Sequence, residues 1–206
     1  MTPRVIYEDL VRFDACHRGG GVRHLAGVDE AGRGALAGPV VAAAVICEPN
    51  AELARVRDSK LLSEAIREQL YETILSNSLT VGVGIIGPRE IDRSNILAAT
   101  LKAMKMAVET LDIRPCKVLV DGNRAPRMEE PVAIVTGGDR KSFSIAAASI
   151  VAKVTRDRIM RKVSEEFPSY QFARNKGYGT VGHIETIARE GLTRLHRRSF
   201  KIRSLS

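Results

Sequence analysis

Nine consecutive residues, Pro39-Val-Val-Ala-Ala-Ala-Val-Ile-Cys47, form an unbroken apolar run. Crossing a bilayer takes about 20 residues, and even the extension of this run back to Leu36 contains Gly38 and Pro39. A run of this length reads as a strand buried within a sheet. A second, shorter apolar run, Leu25–Val28, precedes it and stops at Asp29-Glu30. Between the two lies Ala31-Gly-Arg-Gly-Ala-Leu-Ala-Gly38, punctuated by glycine, so the segment reads as strand, turn, strand.

The rest of the chain alternates. Ser63 opens a helix whose apolar residues Ile66, Leu70 and Ile74 recur four apart. Over Leu79–Ile86, Val81, Val83 and Ile85 alternate with Gly82 and Gly84, which fits a strand with one close-packed face. Helical spacing returns at Ile96, Ala99, Ala103, Met106 and Thr110. Short strands follow at Lys117–Val120 and Val132–Val135, running into Asp121-Gly122 and Gly137-Gly138-Asp139. A long helix begins near Ser142 and ends before Pro168; a last one spans about Val181 to Arg189, with Gly191 as its stop. The order predicts one α/β domain over 1–206, a mixed sheet flanked by helices, with residues from about 168 to 206 forming a helical C-terminal part.

Charge is placed unevenly. From Arg140 to Ser206 there are 15 Lys and Arg against 5 Asp and Glu, a net of +10, whereas the whole chain carries +8. A basic half beside a mildly acidic one suits cationic surface laid on a phosphate backbone, although many basic proteins are merely soluble. Cys16, Cys47 and Cys116 lack metal-ligand spacing; an odd, sparse set points to a reducing compartment, and cytoplasm is expected. Glu8, Asp9 and the arginines around them do not read as a signal peptide.

Strand-like runs thus lead into Asp29-Glu30, Asp121 and Asp139. In α/β sheets functional residues gather where strands stop. Carboxylates brought together there cannot all stay ionised without cations, and their oxygens are hard ligands for Mg²⁺ or Mn²⁺. Each acid also has a plainer explanation. Asp121-Gly122 is a common turn pair, and Asp139 stands where a helix cap would. The glycine turn invites a dinucleotide-loop reading, but strand rather than helix follows it, leaving no helix N-terminus for a pyrophosphate.

Gly27-Val-Asp-Glu-Ala-Gly-Arg-Gly34 with Leu36-Ala-Gly-Pro-Val40 resembles the amino-terminal motif of ribonuclease HII, the type 2 ribonuclease H. The resemblance continues through Asp58-Ser-Lys60, Ile91–Leu97, Val120-Asp-Gly122, Gly138-Asp139, Ser144–Asp157, Lys176-Gly-Tyr-Gly-Thr180, His183 and His196-Arg-Arg-Ser-Phe200. It implies a ribonuclease H-like fold and endonucleolytic cleavage on the 5′ side of a ribonucleotide in a duplex with DNA. It also implies that Asp29, Glu30, Asp121 and Asp139 hold two divalent cations, Mn²⁺ or Mg²⁺. Gly32, Arg33 and Gly34 would read the ribose 2′-hydroxyl, and Tyr178 would pack at the DNA–RNA junction. Arg33 favours this family over type HIII, where lysine is expected. Asn175 departs from the histidine common before Lys-Gly-Tyr, and residues 1–24 and the tail after Phe200 carry no recognisable motif.

Other residues keep two readings. Lys153, Arg156 and Arg158 form a phosphate-facing edge or a solvated helix face. Arg197 and Arg198 are read as contacts to the substrate backbone, and Lys60 serves likewise or pairs with Asp58. His183 reads as a structural hydrogen-bonding residue, since hard cations prefer oxygen. The Lys201–Ser206 tail lacks the adjacent aromatic pair that would dock on a sliding clamp, so that partner is not expected; nucleic acid is the expected partner, and a monomer the expected state.

Overall fold

The computed structural model describes residues 3–202, so the end of the tail, from residue 203 on, lies outside the described residues. Five strands, β1 Leu25–Ala31, β2 Val40–Cys47, β3 Ser78–Ile86, β4 Lys117–Asp121 and β5 Val132–Val135, form one sheet in the order β3-β2-β1-β4-β5. The pairs β1/β2 and β2/β3 are antiparallel, while β1/β4 and β4/β5 are parallel, which makes the expected mixed sheet. The first strand runs past Val28 and carries both acids within it.

Among the described residues seven α-helices accompany the sheet: α1 Pro3–His17, α2 Glu64–Asn77, α3 Pro88–Arg93, α4 Ile96–Glu109, α5 Phe143–Ser164, α6 Phe172–Asn175 and α7 Val181–Glu190. Ser63, Asn95, Ser142 and Thr180 cap α2, α4, α5 and α7, each accepting from a backbone amide of the first turn. All of β2 is buried because both faces are covered. Ala43, Val45 and Cys47 pack toward α5, with Leu70 and Ile74 of α2 and Leu10 of α1, whereas Ala42, Ala44 and Ile46 pack toward Ala103 and Ala107 of α4.

The close-packed face expected from Gly82 and Gly84 is where α4 lies. A Cβ added at either would stand 2.0 Å from the backbone oxygen of Ala107 or Ala103. Beyond α5, a turn at Pro168–Tyr170 leads into α6 and α7, and Tyr170, Phe172 and Ile187 pack on Ala37 and Met160. This helical C-terminal part thereby presses against the glycine turn after β1.

Candidate active site

The parallel register sets Val28 of β1 beside Val120 of β4, so Asp29 and Asp121 follow at the same end of neighbouring strands. One oxygen from each of Asp29, Glu30 and Asp121 falls within 4.8 Å of the others. Asp29 is buried and accepts from the Glu30 amide at 2.7 Å and from the Ser149 hydroxyl, which in turn meets Ser59 Oγ at 2.9 Å. Burial first, then the charges of Glu30 and Asp121, hold the Asp29 carboxyl well above the usual carboxylate range. Burial also raises Glu30, opposed by the Arg33 guanidinium, which donates to Oε1 at 3.1 Å. Glu30 Oε2 is buried with no hydrogen-bond partner. Clustered hard oxygens, one of them orphaned, are a donor set that fits a divalent cation.

Asp139 stands apart from this trio. It sits in a short 3-10 turn at Gly138–Arg140, and its buried carboxylate accepts from Lys60 Nζ at 2.8 Å. The link to the trio is its neighbour Gly138, whose amide donates to Asp121 Oδ1 at 2.6 Å. The helix-cap reading of Asp139 fails because Ser142 caps α5. Lys60 pairs with Asp139 rather than with Asp58, which accepts only the Lys60 backbone amide, at 2.9 Å.

The glycine turn forms one wall of a cavity of about 270 Å³ that also includes Asp29, Glu30, Asp121, Lys60, Lys153 and Tyr178. Gly32 has φ +94°, and an added Cβ there would lie 2.0 Å from Arg156 Nε. Gly177, at φ +81°, receives the amides of Leu36 and Ala37 on its carbonyl at 2.8 and 3.1 Å and so sets the adjoining Tyr178 beside the turn. Asn175 supports that bend, donating to Tyr170 O and accepting from the Gly177 amide.

Two arginines have tasks that sequence spacing did not reveal. Arg156 is fully buried, neither phosphate-facing nor solvated, and donates to Pro39 O at 2.9 Å and Ala37 O at 3.1 Å. Its guanidinium lies 5.3 Å from the Tyr178 ring centroid. Arg197, expected on the substrate backbone, is 2% exposed and donates to the carbonyls of Gly32, Arg33 and Gly38 at 2.7, 2.9 and 3.0 Å. It braces the turn from behind. Arg198 keeps an exposed side chain while its amide is held by Asp92. Arg158 lies on the solvated face, paired with Glu68 and Glu72, and Lys153 pairs with Asp157. Much of the basic half is therefore engaged in ion pairs or on carbonyls rather than spread as open cationic surface.

His183 is structural, as its type suggested. Its Nδ1 bonds Tyr178 O at 2.8 Å, and its Nε2 meets His196 Nε2 at 3.1 Å. His196 Nδ1 accepts from the Thr193 amide at 2.9 Å, so the proton between the rings belongs to His196. Both rings are neutral in this chain of bonds. Burial, then His183, holds His196 at about 4, and burial lowers His183 as well. Below the unfolded value of 6.5 the unfolded chain takes up protons that the folded pair resists. The pair's stabilisation is thus complete above that pH and is lost as the pH falls toward 4, by roughly 3 kcal/mol from His196. The imidazole C–H resonances of His196 should stay flat between about pH 7 and about pH 5; a midpoint above about 6 would contradict the pairing.

The ribonuclease HII family model matches residues 26–203. The chain belongs to the ribonuclease HII family. A ribonuclease HII of Geotalea daltonii is 52% identical over 191 residues, covering 93% of this chain and 88% of that protein. Among solved structures, the ribonuclease H2 of Pyrococcus horikoshii superposes with a TM-score of 0.73 at 28% identity, over 86% of this chain and 94% of that one. Bst RNase HIII in complex with Mn²⁺ shares the fold, with a TM-score of 0.65 at 19% identity over 90% of this chain and 69% of that one. Ribonuclease HII membership makes the chain an endoribonuclease of RNA/DNA hybrids, a hydrolase dependent on divalent metal. Among the described residues no helix is long and apolar enough to cross a membrane.

Proposed function

We propose that the chain cuts the phosphodiester on the 5′ side of a ribonucleotide in duplex with DNA, including a single ribonucleotide embedded in DNA, leaving 3′-hydroxyl and 5′-phosphate ends. The observation that carries this reading is the opening of Asp29, Glu30 and Asp121 into the same cavity as the Gly32–Gly34 turn and Tyr178. The reacting bond and the ribose next to it then meet two different sets of groups.

Asp29, Glu30 and Asp121, with Asp139 alongside, would hold two divalent cations, Mn²⁺ or Mg²⁺. When bound, such cations activate water and stabilise the leaving oxygen. Because Arg197 takes up the carbonyls of Gly32 and Arg33, the amide edge of the turn is the one proposed to meet the 2′-hydroxyl. Tyr178, 37% exposed, offers its ring to the junction between the ribonucleotide and the deoxyribonucleotide that follows it. Lys60 and Arg198 are proposed contacts to backbone phosphates, Lys60 leaving Asp139 to make its own. The biological work would be removal of ribonucleotides and RNA primers from DNA, by a monomer in the cytoplasm.

A DNA duplex containing one ribonucleotide, incubated with Mn²⁺, Mg²⁺ or chelator, tests the reading by the position of the nick. A cut on the 3′ side, or cutting in chelator, would overturn it. Tyr178→Ala should reduce kcat/KM on that substrate by ~10-fold or more, and by less on a long hybrid, with Tm nearly unchanged. A collapse of Tm would instead mark the ring as core.

A further inference from the structure

Helix α1 lies ahead of the stretch matched by the family model, yet it sends one carboxylate into the interior. Asp14 is 1% exposed. Its Oδ1 accepts from Ser142 Oγ at 2.6 Å, and its Oδ2 accepts from the Ser144 amide at 2.8 Å and Ser144 Oγ at 2.7 Å. These are the cap and first turn of α5.

That turn of α5 touches two pieces of the active site. On one side it sits against β1: a Cβ added at Gly27, two residues before Asp29, would stand 2.0 Å from the Ser144 carbonyl carbon. On the other side, Ser142 donates its amide to Gly138 O at 2.8 Å, and the Ile145 side chain would lie 2.5 Å from a Cβ added at Gly138. Gly138 is the residue that bonds Asp121 and precedes Asp139. A shift of this turn therefore bears on three of the four acids, on the backbone beside Asp29 and Asp139 and, through the Gly138 amide, on the carboxylate of Asp121. Packed interiors pass such shifts on because they contain little free volume.

We infer that Asp14 is a positioning residue for the active site: from α1 it fixes the first turn of α5, and through it the placement of Asp139 and Asp121. The inference rests on the metal-site reading above. The side chain acts by its shape and acceptors rather than by its charge. Asparagine in its place keeps one oxygen for the two Ser144 donors and offers its amide to Ser142 Oγ, which has a lone pair to spare. Alanine leaves two hydroxyls and an amide buried without an acceptor.

The test compares full-length D14N, D14A and S144A with wild type, each well below its own Tm, by calorimetric Mn²⁺ titration and by steady-state cleavage of an RNA/DNA hybrid. D14A is expected to weaken Mn²⁺ binding and lower kcat by about 10-fold each, with KM for the hybrid unchanged, and D14N to return both to within about twofold of wild type. D14A that melts earlier but binds Mn²⁺ and turns over like wild type overturns the inference, as does D14N as defective as D14A. Should D14A not fold, S144A decides, since it removes a single donor; about threefold weaker Mn²⁺ binding is expected, and unchanged binding overturns. Wild-type chain that fails to bind Mn²⁺ would sink the metal-site reading itself, which separates the two failures.

Discussion

Asp121→Asn is expected to lower turnover on an RNA/DNA hybrid by ~10³-fold or more while hybrid affinity, measured by anisotropy in chelator, stays within about threefold of wild type. Asparagine keeps the volume and the oxygen that accepts the Gly138 amide, so the turn bearing Asp139 holds. It removes the charge from one of three carboxyl groups whose oxygens lie within 4.8 Å of one another. Loss of that charge also relieves the repulsion that helps to raise Asp29. The metal-free Tm should therefore stay level or rise, and the gain in Tm that Mn²⁺ gives the wild type should shrink. Reduced activity with a lower metal-free Tm would mean a damaged fold instead. Turnover within about tenfold of wild type would remove Asp121 from the metal site altogether.

The convergence of Asp29, Glu30 and Asp121 was legible because each stands where an apolar run of a strand ends, and such ends of a parallel pair are brought together by register alone. Asp139 was harder. Its segment looked like a helix cap, and only the hydroxyl of Ser142, three residues on, takes that task. Its pairing with Lys60 spans 79 residues of sequence, which no local spacing reports. The same limit explains Arg156. A cation on a helix reads as surface, but the carbonyls that make its burial tolerable belong to Ala37 and Pro39, more than a hundred positions earlier. Gly82 and Gly84 succeeded for the opposite reason, since a missing side chain at every second residue states directly that something lies close. In helix α1 an apolar stripe, Ile6, Tyr7, Leu10 and Val11, was available in the sequence and packs on the core, but the buried Asp14 one turn on could not be read, since its serine partners lie 128 and 130 positions away.

The second large effect belongs to Arg197, which sequence reasoning set on the substrate. Arg197→Ala is expected to cost about 3–5 kcal/mol of stability, a fall of roughly 10 °C in Tm, because it strands the Gly32, Arg33 and Gly38 carbonyls in a buried place. Burial lowers this guanidinium to about 10, so it still carries its charge at neutral pH, held by carbonyl oxygens and by the face of Phe200 at 5.1 Å. Lysine is a poor substitute: a single ammonium on a flexible stem lacks the planar fork that now reaches three carbonyls. Arg197→Lys should thus recover little of the loss. The neighbouring Arg198→Ala should shift stability by less than about 0.5 kcal/mol, since its side chain is exposed and its amide bond to Asp92 survives. If urea melts put the two alanine variants at the same midpoint, the turn does not depend on Arg197. If instead Arg197→Ala melts like wild type but loses affinity for the hybrid with a shallower salt slope, the arginine reaches phosphate after all and the bracing role falls.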